Sequence, residues 1–490
     1  MAIGIWISLL AYFALMLGIG FYAWRKSTSN SEDYVLGGRN LPPAVAALSA
    51  GASDMSGWLL LGLPGALYAA GLVEAWIGIG LFIGALINWI VVAPRLREQT
   101  ERYDNALTIP AFLANRFPSQ ATTLRMVSAV IIVVFFAVYT ASGLVAGGKL
   151  FSSAFDGSYS VGVWLTLGIV LTYTVIGGFL AVSLTDFVQG VIMMLALIIM
   201  PAIVLYAGEG GGFAQAGETL SNVDGFTLGW WTPDMTLIGW LSLMAWGLGY
   251  FGQPHIIVRF MAVRSVEAVA TARNIAMVWM AISLIGAVGV GIFGRAYVER
   301  NGISIGDSET IFIFLAESLF PALITGFLYA ALLAAIMSTV SSQLLVSSSS
   351  LAEDFYKLFV NKDASGSALV TVGRIAVVAV GVVAAFIAGD PDSKVLGLVS
   401  NAWAGFGAAF GPLIILSLTW SRMTGAGAVA GLVSGAVTVI LWISLGWNSS
   451  FLGGPGVYEI IPGFLISMLS IFVVSTVTQG ADEFRPIPAE

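Results

Sequence analysis

Apolar residues fill most of this chain in long blocks, separated by short polar stretches that hold most of the charges. A block of about twenty apolar residues crosses a bilayer's hydrocarbon core as a helix. The pattern predicts thirteen such helices, at 3–24, 42–70, 72–94, 124–150, 161–180, 186–208, 236–258, 274–296, 311–350, 369–389, 395–420, 424–445 and 457–478. Two of them are interrupted by helix breakers. The first carries Ser49-Ala-Gly-Ala-Ser-Asp-Met-Ser-Gly-Trp58, and the other Trp246-Gly-Leu-Gly-Tyr-Phe-Gly-Gln-Pro254. Non-helical backbone at membrane depth is tolerated only where protein buries it or where it lines a cavity. The interrupted helices are the second and seventh, so simple alternation makes them cross in opposite directions. Paired breaks in two inverted halves point to a transporter's binding site. The expected organisation is therefore one transmembrane domain over 1–490. Residues 1–40 form a first helix and inner loop, 41–208 and 236–420 two inverted five-helix repeats, and 421–490 two further helices and a tail.

Composition narrows the class. Of 490 residues, 58% are hydrophobic and 10% charged, with mean hydropathy +0.93; soluble domains carry about 25% charged residues. This is an all-α polytopic membrane protein, with the lipid bilayer as its surroundings and no nucleic-acid partner. No cysteine and one histidine leave little for zinc or thiol chemistry, so an enzyme is not expected. The run Ile3 to Trp24 has Arg25-Lys26 after it and no basic residue before it. A cleaved signal shows the reverse order, so the run reads as a retained helix with its N-terminus outside. Alternation from there puts sixteen of the twenty Lys and Arg inside, leaving Lys149, Arg295, Arg300 and Lys394 outside. That asymmetry follows the positive-inside rule. The loop 209–235, with Glu209, Glu218, Asp224 and Asp234 but no Lys or Arg, falls outside, and the C-terminus inside. The expected location is the cell's inner membrane. Gly143 to Lys149 has a phosphate-loop spacing, but Leu150 replaces the required Ser or Thr, which argues against an ATP-driven pump.

Candidate chemistry gathers at the breaks. Asp54 is an ionisable group at a depth where charge is costly unless bound or hydrated. It reads either as a cap on freed backbone N–H groups or as a fixed charge that attracts a cation. Ser56, Gly57 and Trp58, with Trp246, Tyr250, Gln253 and Pro254 across from them, form the candidate solute pocket. Freed N–H groups hold a carboxylate, and aromatic faces hold an ammonium. Ala335, Ser338 and Thr339 share one helix face, and their hydroxyls serve either an ion or their own helix. Asp186 reads as a first-turn acid at the inner start of helix 186–208. Arg39 reads first as an inner-side anchor, with a possible gating role. His255 reads as structural, with a proton relay as the alternative.

Gly51-Ala-Ser-Asp-Met-Ser-Gly-Trp58, Trp246-Gly-Leu-Gly-Tyr-Phe-Gly-Gln-Pro-His255, Ile336-Met-Ser-Thr339 and Asn401-Ala-Trp-Ala-Gly-Phe-Gly-Ala-Ala-Phe-Gly-Pro412 resemble the solute:sodium symporter family. The resemblance covers nearly the whole chain. It implies a LeuT-like inverted-repeat fold with two unwound helices, and import of L-proline driven by Na+. A different small solute such as pantothenate or another amino acid, or coupling to protons, is the alternative. It further implies sodium ligands at the Ala52, Met55 and Ala335 carbonyls and the Ser338 and Thr339 hydroxyls. Tyr139 would join the solute pocket, and Asp186 would serve the sodium exit path. No obligate protein partner is implied.

Overall fold

In lipid a backbone must satisfy its own hydrogen bonds, so apolar blocks of this length fold as helices. The computed structural model describes residues 2–26, 31–155, 157–207 and 211–479; Glu209 of the expected outer loop and Arg485 of the expected inner tail lie outside them. The main helices are α1 (Ile3–Lys26), α2 (Pro43–Asp54), α3 (Leu63–Ala70), α4 (Ala75–Arg102), α5 (Ile109–Arg116), α6 (Ala121–Phe155), α7 (Tyr159–Tyr206) and α8 (Leu237–Met244). They continue with α9 (Pro254–Ala262), α10 (Glu267–Arg300), α11 (Ile311–Leu319), α12 (Ala322–Ser349), α13 (Gly366–Ile387), α14 (Val395–Thr419), α15 (Gly425–Ser444) and α16 (Ile460–Thr478). Among the described residues, ten helices are long and apolar enough to cross a membrane, or eleven if the bent pair made by α2 and Trp58–Ala70 is one span. The only β-pairings there are two isolated bridges, Leu41 with Val263 and Gly71 with Thr227.

Three expectations change. Helix 311–350 is two helices, because the chain extends at Phe320 and Pro321 between α11 and α12. Predicted helices 161–180 and 186–208 follow one another within α7 without a loop, divided by a kink at Gly178 with the left-handed φ of 60°; there a Cβ would lie 2.7 Å from the Tyr34 ring. Three short helices, Ser31–Leu36, Ile109–Arg116 and Phe213–Ser221, stand where loops were expected.

Burial orders the helices. The most apolar window of α14 is 89% buried, that of Ala322–Phe359 is 83%, and that of α1 only 22%. The inner helices α6, α12 and α14 surround the two breaks, while α1, α13, α15 and α16 form the rim. Apolar side chains such as Leu10, Ile285, Phe386 and Val477 stay exposed on the outside of the bundle, as expected for a surface that meets lipid.

Candidate functional site

The first break is made by backbone turns, with no left-handed glycine. α2 ends at Asp54, and Met55 takes φ −77° and ψ 71°. The Met55 N–H still reaches the Gly51 carbonyl at 2.8 Å, but Ser56 N–H turns back to Asp54 at 2.9 Å. The chain resumes through a wide helical turn at Trp58–Gly62, and the axis bends by 61°. Gly51 is required by close approach instead: a Cβ there would sit 2.6 Å from the Trp279 ring.

Because Ser56 N–H is diverted, the Ala52 carbonyl loses its helical donor. Two hydroxyls from α12 replace it: Ser338 Oγ at 2.7 Å and Thr339 Oγ1 at 3.3 Å. Ser338 Oγ also lies 3.2 Å from the Ala335 carbonyl. Four oxygens of the expected sodium set therefore meet in a fully buried cluster. Ser338 bonds its own helix and also crosses to α2. When a cation binds, such hydroxyls can turn their lone pairs inward. Met55 lies three residues on in the same turn.

Asp54 is not satisfied by backbone N–H groups. It is 2% exposed. Its Oδ2 accepts a hydrogen bond from the Tyr250 hydroxyl on the second break, and its backbone carbonyl accepts one from Trp58 Nε1 at 3.2 Å. One side chain thus joins the two interrupted helices, and it has no cationic partner among the described residues.

The second break is a tightened coil. α8 passes into a 3₁₀ stretch, Ala245–Gly252, then Gln253 extends with φ −83° and ψ 104° and Pro254 starts α9. A proline in that place lacks only a donor the helix start would leave unused. α14 clamps the coil. Trp403 Nε1 donates to the Trp246 carbonyl at 2.7 Å, and Gln253 Nε2 donates to the Gly249 and Trp403 carbonyls at 3.2 and 3.1 Å. Trp58 and Trp246 face each other with ring centroids 6.5 Å apart, and Tyr458 of the last loop stacks on Trp246 at 5.3 Å. Tyr250 meets the Trp403 ring edge-on at 5.0 Å. Ser56, Trp58, Tyr139, Trp246, Tyr250, Gln253 and Pro254 are all buried, as is Gly57, which packs against Ala146 of α6. Tyr139 lies edge-on to His255 at 5.6 Å. His255 lies between Tyr139 and Phe136, a packed position.

Three charged residues differ from their sequence reading. Asp186 is no first-turn acid: it sits in mid-helix of α7, fully buried. Its Oδ2 accepts from Ser49 Oγ at 2.8 Å and Ser342 Oγ at 3.3 Å, and pairs with Arg259 at 3.2 Å. Arg259, expected in an inner loop, is itself fully buried, and spends further donors on the His255 carbonyl and Ser342 Oγ, each at 2.5 Å. Ser342 lies one turn beyond Ser338, so this cluster extends the polar line from Ala52 toward the end that carries Arg39. Arg39 is more than an anchor. It is buried and bonds Asn105 Oδ1 at 2.8 Å, Thr100 Oγ1 at 3.0 Å and the Met261 and Ala106 carbonyls at 3.0 and 2.6 Å. Burial, and then the nearby Arg97, pushes its guanidinium down to about 10, so it stays a cation near neutral pH. Sequence reasoning missed Arg259, Trp403, Tyr458 and Asn88. Trp403 stands inside a motif already singled out; the others have no local signal.

The sodium:solute symporter family matches residues 34–435 of the chain. Over 475 residues the chain is 54% identical to the high-affinity proline transporter PutP of Bacillus subtilis (strain 168), covering 96% of this chain and 97% of that protein. It is 51% identical over 469 residues to the sodium/proline symporter of Salmonella typhimurium, covering 94% and 90%. Among solved structures, a Na+-coupled sialic acid symporter in a substrate-bound outward-open state superposes with TM-score 0.79 at 19% identity, over 99% of this chain and 98% of that one. That likeness shows a shared fold.

Proposed function

The chain belongs to the sodium:solute symporter family, and on that premise we propose that it imports L-proline with Na+ by alternating access across the cell's inner membrane. Relatives about half identical over nearly the full length are named proline transporters and sodium/proline symporters. With the bent pair taken as one span, eleven long spans and the shorter apolar helices Tyr159–Thr172 and Leu237–Gly252 would make thirteen crossings, the N-terminus lying outside. Residues 41–208 and 236–420 then form the two inverted repeats.

Sodium occupies the cluster at Ala52, Met55, Ala335, Ser338 and Thr339, with Asp54 lending negative charge. Proline lies between the breaks. The Ser56 hydroxyl and the Gly57 N–H take its carboxylate, and Trp58, Trp246, Tyr250, Gln253, Pro254 and Tyr139 enclose the ring and ammonium. Asp186 and Ser342 lead sodium toward the inner face, where Arg39 closes the path. One observation carries this reading: the turn from Ala52 to Trp58 touches the oxygen cluster at one end and the facing tryptophans at the other. Ordering that turn around one ligand prepares it for the other.

The driving force suffices. One Na+ moving through 100 mV releases about 2.3 kcal/mol, and a tenfold gradient adds roughly 1.4 kcal/mol. Together they could concentrate a neutral solute several-hundred-fold. The test is binding of labelled proline to the purified protein in competition with other amino acids and pantothenate, with Na+ replaced by choline or Li+. Proline should compete best and only in Na+. Binding without sodium overturns the coupling, and absence of proline binding overturns the substrate.

A further inference from the structure

One buried polar residue beside the site has no role in that account. Asn88 on α4 is completely buried. Its amide nitrogen donates to the Tyr250 carbonyl at 3.0 Å, while its amide oxygen has no partner among the described residues. Asp54 is in the same condition: Oδ2 takes the Tyr250 hydroxyl, and Oδ1 has no partner among the described residues. Both side chains line a single cavity of about 20 Å³, walled by Ala85, Trp89, Phe260 and Trp279. Two donors on the lining are already used, the Trp279 indole on the Gly190 carbonyl at 2.8 Å and the Tyr250 hydroxyl on Asp54 Oδ2.

Two acceptors that share a cavity call for one donor between them. A buried acceptor without a donor is costly, more so when it is charged. A cavity above roughly 10–15 Å³ with two or more polar partners holds a water molecule. A sodium ion wants several oxygens, and these two side chains supply one each. We propose that Asn88 is a positioning residue for ion coupling. It holds the backbone of the second break directly at Tyr250, and it holds the Asp54 carboxylate through one ordered water that donates to both oxygens. The water fixes the carboxylate's rotation, so that Oδ2 stays on Tyr250 and the charge stays beside the Ala52 turn. α4 then becomes the third element of the contact between the breaks.

This inference rests on the sodium-coupled reading above, and its test separates the two. Labelled proline uptake is measured in proteoliposomes of the full-length protein as sodium is varied, for the wild type, Asn88→Leu and Asn88→Gln. Asn88→Leu is expected to raise the half-saturating sodium concentration about tenfold, the loss of a charged hydrogen bond. The half-saturating proline concentration at saturating sodium should stay within roughly twofold. Asn88→Gln carries the same amide one methylene further and should recover most of the sodium affinity by filling the place of the water. Equal loss in both constants, no change in either, or no recovery by Asn88→Gln overturns the proposal. Wild-type uptake that ignores sodium overturns the functional reading instead. If Asn88→Leu does not fold, a density map of the wild type fine enough to show water decides. A peak within hydrogen-bond reach of both oxygens is expected, and an empty cavity overturns the idea.

Discussion

Asp54 and Asp186 are both fully buried carboxylates, yet they are held in opposite ways. Arg259 pairs with Asp186. Asp54 has one hydroxyl donor, Tyr250, and no cation beside it among the described residues. An uncompensated charge at membrane depth is expensive, so Asp54 is the carboxylate that gains most from a nearby ion. In the proposed function it lends charge to the cluster at Ala52 without supplying one of the four converging oxygens. Asp54→Asn keeps the shape and removes the charge. We expect it to raise the half-saturating sodium concentration by about tenfold or more; an unchanged sodium activation curve for proline uptake would contradict this. In the proposed function Trp246 acts on the other ligand. Its ring lies between Trp58 and Tyr458, and an aromatic face over an ammonium contributes about 0.5–2 kcal/mol. Trp246→Ala should therefore weaken proline affinity several-fold while sodium affinity changes less. Equal losses in titrations of both ligands would mark a general packing defect.

Between elements, the strongest test is the ion pair that bolts α7 to α9. Taking one partner from a buried pair strands the other and costs about 3–5 kcal/mol, whereas removing both is often nearly neutral. Arg259→Met should lower the thermal midpoint sharply, and Asp186→Asn added to it should restore much of the loss; additive losses in the double variant would refute the pairing. A second set of charges joins the opposite ends of the helices. Lys149 pairs with Asp307 and Glu309 at 2.7 and 2.8 Å, Lys394 pairs with Asp307 at 2.7 Å, and Glu309 caps α14 at the N–H groups of Val395 and Leu396. Burial pushes the Asp307 carboxyl up, but its hydrogen bonds from Lys149 and Lys394 outweigh that and leave it below its ordinary value. A depressed carboxyl stabilises fully above its ordinary range and loses that only as pH falls through the lowered value. Asp307→Asn should thus lower the melting temperature equally at about pH 5 and about pH 8; an effect that disappears at the lower pH would be inconsistent with this. The sequence shows these elements unevenly. Apolar block length reveals most spans, and clustered breakers reveal both interruptions. It does not reveal Arg259 as a core residue, because a basic residue near a helix end resembles a loop anchor until its partners are placed. Nor does it separate α11 from α12, since Phe320-Pro321 interrupts an otherwise continuous apolar run. Asn88 and Tyr458 join the site only through tertiary packing, which leaves no local pattern.

At the scale of the molecule, the two interrupted helices are fastened to each other away from their breaks. Leu41, just before α2, bridges Val263, just after α9, with Leu41 N–H on the Ala262 carbonyl at 3.0 Å. Gly71, just after α3, bridges Thr227 in the segment that leads to α8. Arg39 adds a clasp beside the first bridge, reaching α4 at Thr100 and α9 at the Met261 carbonyl. With Tyr250 on Asp54 at the centre, a ligand that orders one break acts on the other through direct contacts. In the proposed function sodium and proline share the turn from Ala52 to Trp58 and therefore bind cooperatively. Coupling between two ligands is reciprocal, so each must change the other's affinity by the same factor. The direct measurement is equilibrium binding of labelled proline across a sodium series, and of labelled sodium across a proline series, on purified wild-type protein and Asp54→Asn. The account predicts equal enhancement factors of about tenfold or more in the wild type, and a factor near one in Asp54→Asn. Proline affinity that is the same in sodium and in choline would contradict it.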